Sequence, residues 1–312
     1  MDAPSFAIYL DQNKWIELAR ARHRSDASSD DKANLHSIED AVVDGRVCFP
    51  VSYVHIMETA RIGNQTQRLQ LAELMAELSI GWYLAGRQTI VNQELDNALS
   101  ALLEPEKPAR RVAAFTRNLF LVFDDYGGQE RGRVISSVLG PQEMLIDFLS
   151  FDDENVRLLA IQRMSKSNDE LTSRIRKRRE RTASETVEVR DRIYRASLFL
   201  EVQEKFTNSL QRIGRSWPEL RKLPDSQMAS ILDRVPCWDV ECTLTSQVER
   251  QKTRATEGND VYDIGALASA IPYCDVVVTE KLWTHLCRVA GLPTKYKTRI
   301  VNSIREVAAM IP

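Results

Sequence analysis

Between Gln142 and Ile213 the chain passes through 72 consecutive residues with neither glycine nor proline. Glycine weakens regular backbone through its entropy and proline through its missing N–H, so a run this long without either predicts one or two long helices. The same economy extends over all 312 residues, which include only 12 Gly and 11 Pro. A mostly helical protein is expected, and a loop-rich or all-β architecture is disfavoured. The length is ample for a buried core, and 44 acidic against 42 basic side chains leave a net charge of -2, so global charge names no partner.

The flanks read differently. Phe6-Ala7-Ile8-Tyr9-Leu10 is an apolar run that stops at Asp11-Gln12-Asn13, the pattern of a buried strand entering a polar loop. Helical spacing follows over Lys14 to Arg22 and again over Lys32 to Val43. A second short strand is expected at Val47 to Val51, with Ser52 capping a helix to about Arg61. Near the other end, Asp260 to Ala270 reads as a helix, Asp275 to Thr279 as a buried parallel strand, Lys281 to Ala290 as a helix, Thr298 to Val301 as a last strand and Ser303 to Met310 as a last helix. Strands alternating with helices favour a parallel sheet between helical layers, so the two ends are expected to fold together. Residues 65–255 then form a mostly α-helical insertion, with further helices over Thr66 to Leu78, Asn92 to Leu103 and Ala109 to Phe123.

Acidic residues gather where these strands end and helices begin. Asp11 follows the first strand, Glu58 lies within the helix after the second, Asp260 and Asp263 share the face of a later helix, and Asp275 and Glu280 bracket the later strand. The carboxyl ends of parallel strands line one crevice, so acids distant in sequence converge there. A cluster of carboxylates repels itself unless it is protonated or holds a cation. Hard Mg²⁺ or Mn²⁺ is the simplest compensation, and such a site suits metal-assisted attack of water on a phosphodiester.

Ile8-Tyr9-Leu10-Asp11-Gln12-Asn13-Lys14-Trp15-Ile16 resembles the opening strand and first acid of PIN domains. Phe49 to Ser52 with Glu58 is similar to that family's second strand and internal Glu. Asn259 to Ala270 followed by Asp275-Val276-Val277-Val278-Thr279-Glu280 is similar to its acid-led helix, hydrophobic strand and acid after Thr. The resemblance implies a three-layer α/β/α PIN-like sandwich with a central parallel sheet, built from residues 1–64 and 256–312, and a Mg²⁺- or Mn²⁺-dependent endoribonuclease activity. It makes Asp11, Glu58 and Asp263 metal-site acids, Asp260 an additional or alternative ligand, and either Glu280, where the family usually has Asp, or Asp275 the fourth acid. The insertion of about 200 residues between Glu58 and Asp260 departs from the compact family pattern.

On this reading Asn13 and Thr279 position substrate or a water, Lys14 and Lys281 touch phosphate, and RNA is the partner. The run Arg174-Ile175-Arg176-Lys177-Arg178-Arg179-Glu180-Arg181 is either a solvated helix face or a phosphate-binding strip, with Arg176, Lys177 and Arg179 as its substrate contacts. The insertion is a place for a protein partner or a homo-oligomer contact. Two rivals use the same features: a catalytically inert PIN-like scaffold or binding protein, and a structure-selective DNA nuclease. A toxin or defence effector and an RNA-processing enzyme are both compatible roles. The acidic N-terminus without a secretory pattern, the absence of a membrane-length apolar stretch and five cysteines without framework spacing predict a reduced, cytoplasmic setting.

Overall fold

Three tripeptides from opposite ends of the chain, apolar but for the exposed Arg299, build the parallel sheet. In the computed structural model, which describes residues 3–124, 134, 138–150, 158, 162, 172–251 and 258–312, strand β1 (Ile8–Leu10) pairs in parallel with β4 (Val276–Val278), and β4 with β5 (Arg299–Val301). Every residue of β1 and β4 is buried, as expected of β-branched and apolar strands covered on both faces. The register sets Leu10 beside Val278 and Val278 beside Val301. Asp11 N–H continues the ladder to the Val278 carbonyl at 2.8 Å and Thr279 N–H to that of Val301 at 3.0 Å, so the three strands end together.

The segment expected as a strand at Val47 to Val51 is paired more sparsely. It makes isolated parallel bridges, Cys48 to Ala7 and Val51 to Tyr83. Pro50 has no N–H to give, and the Phe49 and Val51 amides go to the Leu78 and Trp82 carbonyls at 3.0 and 3.1 Å. An antiparallel pair, β2 (Tyr83–Leu84) with β3 (Phe115–Thr116), adjoins Val51 and was not legible in the sequence.

Helices α1 (Gln12–His23), α2 (Ser29–Val43), α3 (Tyr53–Ala60) and α4 (Gln65–Ser79) occupy the expected places, entered through Asp11, Ser28, Ser52 and Asn64. α5 (Arg87–Leu103) starts five residues earlier than expected. The helix expected over Ala109 to Phe123 does not form: that stretch holds β3 and the single-turn α6 (Leu119–Val122). Side chains of α5 take its backbone groups instead. Asn97 bonds both the N–H and the carbonyl of Arg110, at 2.9 and 2.7 Å, and Gln93 accepts from Ala113 N–H at 2.8 Å. The Gly- and Pro-free run is likewise divided, its described parts being α7 (Pro141–Ser150), helical residues 172–181, and the helices Val187–Glu201 and Gln203–Arg212. Thr186 caps the third of these at a break in the chain. The remainder of the run lies outside the described residues. At the tail, residues 303–310 make two i→i+3 turns rather than a helix, with Val307 N–H on the Ile304 carbonyl and Met310 N–H on that of Val307.

The fold is thus mixed α/β, a small parallel sheet with a large helical component. It divides into two compact units: one from the described residues of Met1–Gly86, Phe115–Ser167 and Tyr273–Pro312, the other from those of Arg87–Ala114 and Asn168–Pro272. The first has one core, in which Ile8, Leu10, Val276 and Val278 of the sheet meet Trp15, Leu18, Ile38, Ile56, Leu74 and Met75 of the helices. In the second, the helix Gly258–Ala270 packs on the helix Pro236–Arg250, and Phe206 stacks between Trp217 and Trp238. Residues 65–86 and 115–124 therefore join the sheet-bearing unit, and the helix carrying Asp260 and Asp263 joins the other. All five cysteines are buried free thiols. Among the described residues no helix is long and apolar enough to cross a membrane.

Candidate active site

Asp11 stands where β1 ends and α1 begins. Its carboxylate caps α1, accepting from Gln12 N–H at 2.7 Å, and its second oxygen accepts from the Thr279 hydroxyl at 3.3 Å, a contact set up by the β1–β4 register. The position is half-buried. Burial pushes the Asp11 carboxyl up, the Gln12 amide works against that, and the Glu280 charge adds to it.

Glu58 comes from α3, which Ser52 starts directly after the extended 47–51 segment. Burial, reinforced by the charges of Asp11 and Glu280 and opposed by Arg61, moves it up to about 7. Two bonds fix this arrangement. Gln12, buried beside Asp11, donates its Nε2 to Thr59 Oγ1 at 3.1 Å, which ties the first turn of α1 to the last turn of α3. Asn13 donates its Nδ2 to Glu280 Oε1 at 2.6 Å, holding the third acid at the start of the helix Lys281–Val289. Beneath them His55 is fully buried, stacked on Tyr9 at 4.9 Å, with Nδ1 accepting from Ser52 N–H at 3.0 Å. Burial drives its imidazole down to about 3, so it is neutral and structural at physiological pH.

Among the acids singled out in the sequence, Asp11, Glu58 and Glu280 are therefore brought into one electrostatic neighbourhood. Asp275 is not at that end of the sheet: it precedes β4, and its Oδ2 accepts from Ala7 N–H at 2.8 Å. Asp260, 2% exposed, and the half-buried Asp263 lie on the helix Gly258–Ala270 of the second unit. Lys14 pairs with Glu17 at 2.5 Å, and its charge also favours ionised Asp11. Lys281 is exposed at the first position of its helix.

The basic run belongs to the second unit and is split in its roles. Arg178 turns inward, over the Tyr194 ring at 4.3 Å and onto Glu249 at 2.6 Å, and Arg179 donates to the Gln251 carbonyl at 3.2 Å. Arg176, Lys177 and Arg181 are exposed. Two of these roles were not legible beforehand: Gln12 as the brace between α1 and α3, and Arg61 beside Glu58, for which the three-residue spacing on a helix is the signal.

An oxygen-only donor set of mutually repelling, partly desolvated carboxylates fits a hard divalent cation. Mg²⁺ takes one or two carboxylates and keeps several waters, which matches Asp11 and Glu58. Among the described residues no group of three or more His, Cys, Asp or Glu side chains is spaced to hold a metal ion, so the fit is to a sparsely ligated ion and not to a closed cage. A cleft of about 500 Å³ opens at the opposite end of α1, lined by Arg20, Arg24, Asp31 and Arg305 among others. No protein-family model, curated protein or solved structure matches this chain.

Proposed function

We propose that this chain is a PIN-like endoribonuclease, with a three-layer α/β/α catalytic part, that hydrolyses RNA phosphodiester bonds using Mg²⁺ or Mn²⁺ held by Asp11 and Glu58. The observation that carries the reading is the coupling of these two half-buried carboxylates at the carboxyl end of a buried parallel strand, each raised by burial and by its acidic neighbours. Such a pair is costly to keep ionised, and a cation offsets that cost. When bound, the ion supplies charge stabilisation for the phosphate oxygens and a more acidic water.

The protein's own groups do the rest. Thr279 and the Gln12 amide orient the Asp11 oxygens, the Gln12–Thr59 bond keeps Glu58 in place, and Glu58, moved up to about 7, would give up its proton to take the ion. Glu280, held by Asn13, adds negative charge, and Lys281 is offered to phosphate. Asp260 and Asp263 enter through the family resemblance and are tested by the same Asp→Asn substitutions. The inert-scaffold reading is favoured by two observations: Asp11 has a structural task as the cap of α1, and the described residues include no three-ligand cluster.

The deciding experiment is cleavage of a mixed RNA pool by the protein and by Asp11→Asn in Mn²⁺, Mg²⁺ or chelator, after both give the same circular-dichroism melt. Cutting that needs metal and disappears in Asp11→Asn is the expected result. Absence of cutting together with absence of Mn²⁺ binding by calorimetry selects the scaffold. With a DNA pool run beside the RNA, cutting of DNA alone selects the DNA nuclease.

A further inference from the structure

Among the described residues eight large apolar side chains are exposed, and only two of them, Tyr53 and Phe148, are aromatic. Both lean on the same ring. Tyr53 meets Phe123 edge-on with centroids 5.8 Å apart, and Phe148 lies 5.3 Å from Phe123 on its other contact. The three come from α3, from the residue ending α6 and from α7, all in the sheet-bearing unit. Rings supported by one another present fixed area with little rotamer freedom left to lose.

The rings and the acid site share a helix: at 3.6 residues per turn Tyr53 and Glu58 stand about 140° apart around the α3 axis, with Arg61 between them, about 80° from the first and about 60° from the second. The Arg61 charge acts on both the Tyr53 hydroxyl and the Glu58 carboxyl. Around the α3 axis, aromatic face, guanidinium and carboxylate thus follow one another, the three kinds of group that base, phosphate and a cation-binding scissile phosphate of a nucleotide strand call for.

We infer that Tyr53, Phe123 and Phe148 form a stacking subsite for an unpaired base of the nucleic acid, with Arg61 meeting the adjoining phosphate. The inference rests on the nuclease reading and deepens it, because stacking on these rings requires a base outside a duplex.

The test is fluorescence anisotropy of the full chain in chelator, with a fluorescein-labelled adenosine RNA dodecamer, an abasic ribose-phosphate dodecamer of equal charge, and the RNA annealed to its complement. The expected result is at least about tenfold preference for the single strand with bases over both other probes. Tyr53→Ser and Phe148→Ser, each first shown by circular dichroism to be folded, each reduce the base-bearing affinity by about tenfold without changing its salt slope, and Tyr53→Trp restores it. Equal affinity for base-bearing and abasic strands, or no response to Tyr53→Ser, overturns the subsite. If metal-dependent cleavage persists in that case, the nuclease reading stands alone. A wild-type protein that neither binds these probes nor cuts RNA overturns both. Self-association that Tyr53→Ser abolishes assigns the rings to a second copy and also overturns the proposal.

Discussion

Glu58 shows how one side chain links stability to the proposed chemistry. In the folded protein it keeps its proton to about pH 7, whereas in an unfolded chain it loses it near its ordinary value of 4.5. The folded state therefore binds more protons across that interval, and this contribution to stability is full below about pH 4.5, declines as pH rises and is gone above about 7. Asp11, also raised, adds a decline of the same sign. Glu58→Gln, which cannot ionise, is expected to remove most of the slope and to be more stable than wild type at pH 8 by roughly 2 kcal/mol, after discounting for partial exposure. Urea unfolding of both proteins at pH 5 and pH 8 measures it, and parallel pH profiles would contradict the assignment. The same substitution should abolish cleavage, so stability and activity move in opposite directions at one atom pair.

At the scale of elements, the helical residues 172–181 separate two tasks that the sequence left merged. Arg178 faces Glu249, whose side chain is 7% exposed, whereas Arg176, Lys177 and Arg181 face solvent. Changing those three together to Gln is expected to leave the melting temperature within about a degree, because exposed charges contribute little to stability. It should also lower the salt slope of RNA binding by about 2, the value for three phosphate contacts on a single strand. An unchanged slope would make the run a solvated face. Arg178→Gln, in contrast, strands a buried carboxylate and is expected to cost about 3 kcal/mol with little effect on the slope.

Legibility follows the same division between local and long-range causes. β1, β4 and β5, the cap at Ser52 and the acid after β1 were readable because burial and capping leave periodic and positional marks, whereas the Ser28 cap, which starts α2 three residues before the expected Lys32, was not. The 110–116 segment misled because its backbone is satisfied by Asn97 and Gln93, a long-range competitor that no local window records. The Gln12–Thr59 brace was invisible for the same reason, since a buried Gln looks like any surface one until its partner is known.

For the whole molecule, cation binding and folding should be linked. An ion that binds the native carboxylates and not the unfolded chain raises stability by RT ln(1 + [L]/Kd), about 2.7 kcal/mol at a hundredfold excess over Kd. Protonation of Glu58 competes with it, so Mn²⁺ is expected to raise the melting temperature clearly at pH 8 and only weakly at pH 5, and to have no effect at either pH in Asp11→Asn. Differential scanning fluorimetry with a Mn²⁺ titration reads this directly; an equal shift in the variant would place the ion elsewhere.

The partnership of Asp11 with Thr279 spans 268 residues of chain. During synthesis at about 5 to 20 residues per second, roughly 15 to 50 s separate the emergence of β1 from that of the strand that pairs with it. Throughout that interval Ile8, Tyr9 and Leu10 have no β4 to close one edge, and Asp11 has no hydroxyl on its second oxygen. Contacts of such separation also slow the search for the native state once the chain is free. The acid site is consequently incomplete until β4 and Thr279 have been made, so any activity that depends on them is withheld from the growing chain until the sheet closes.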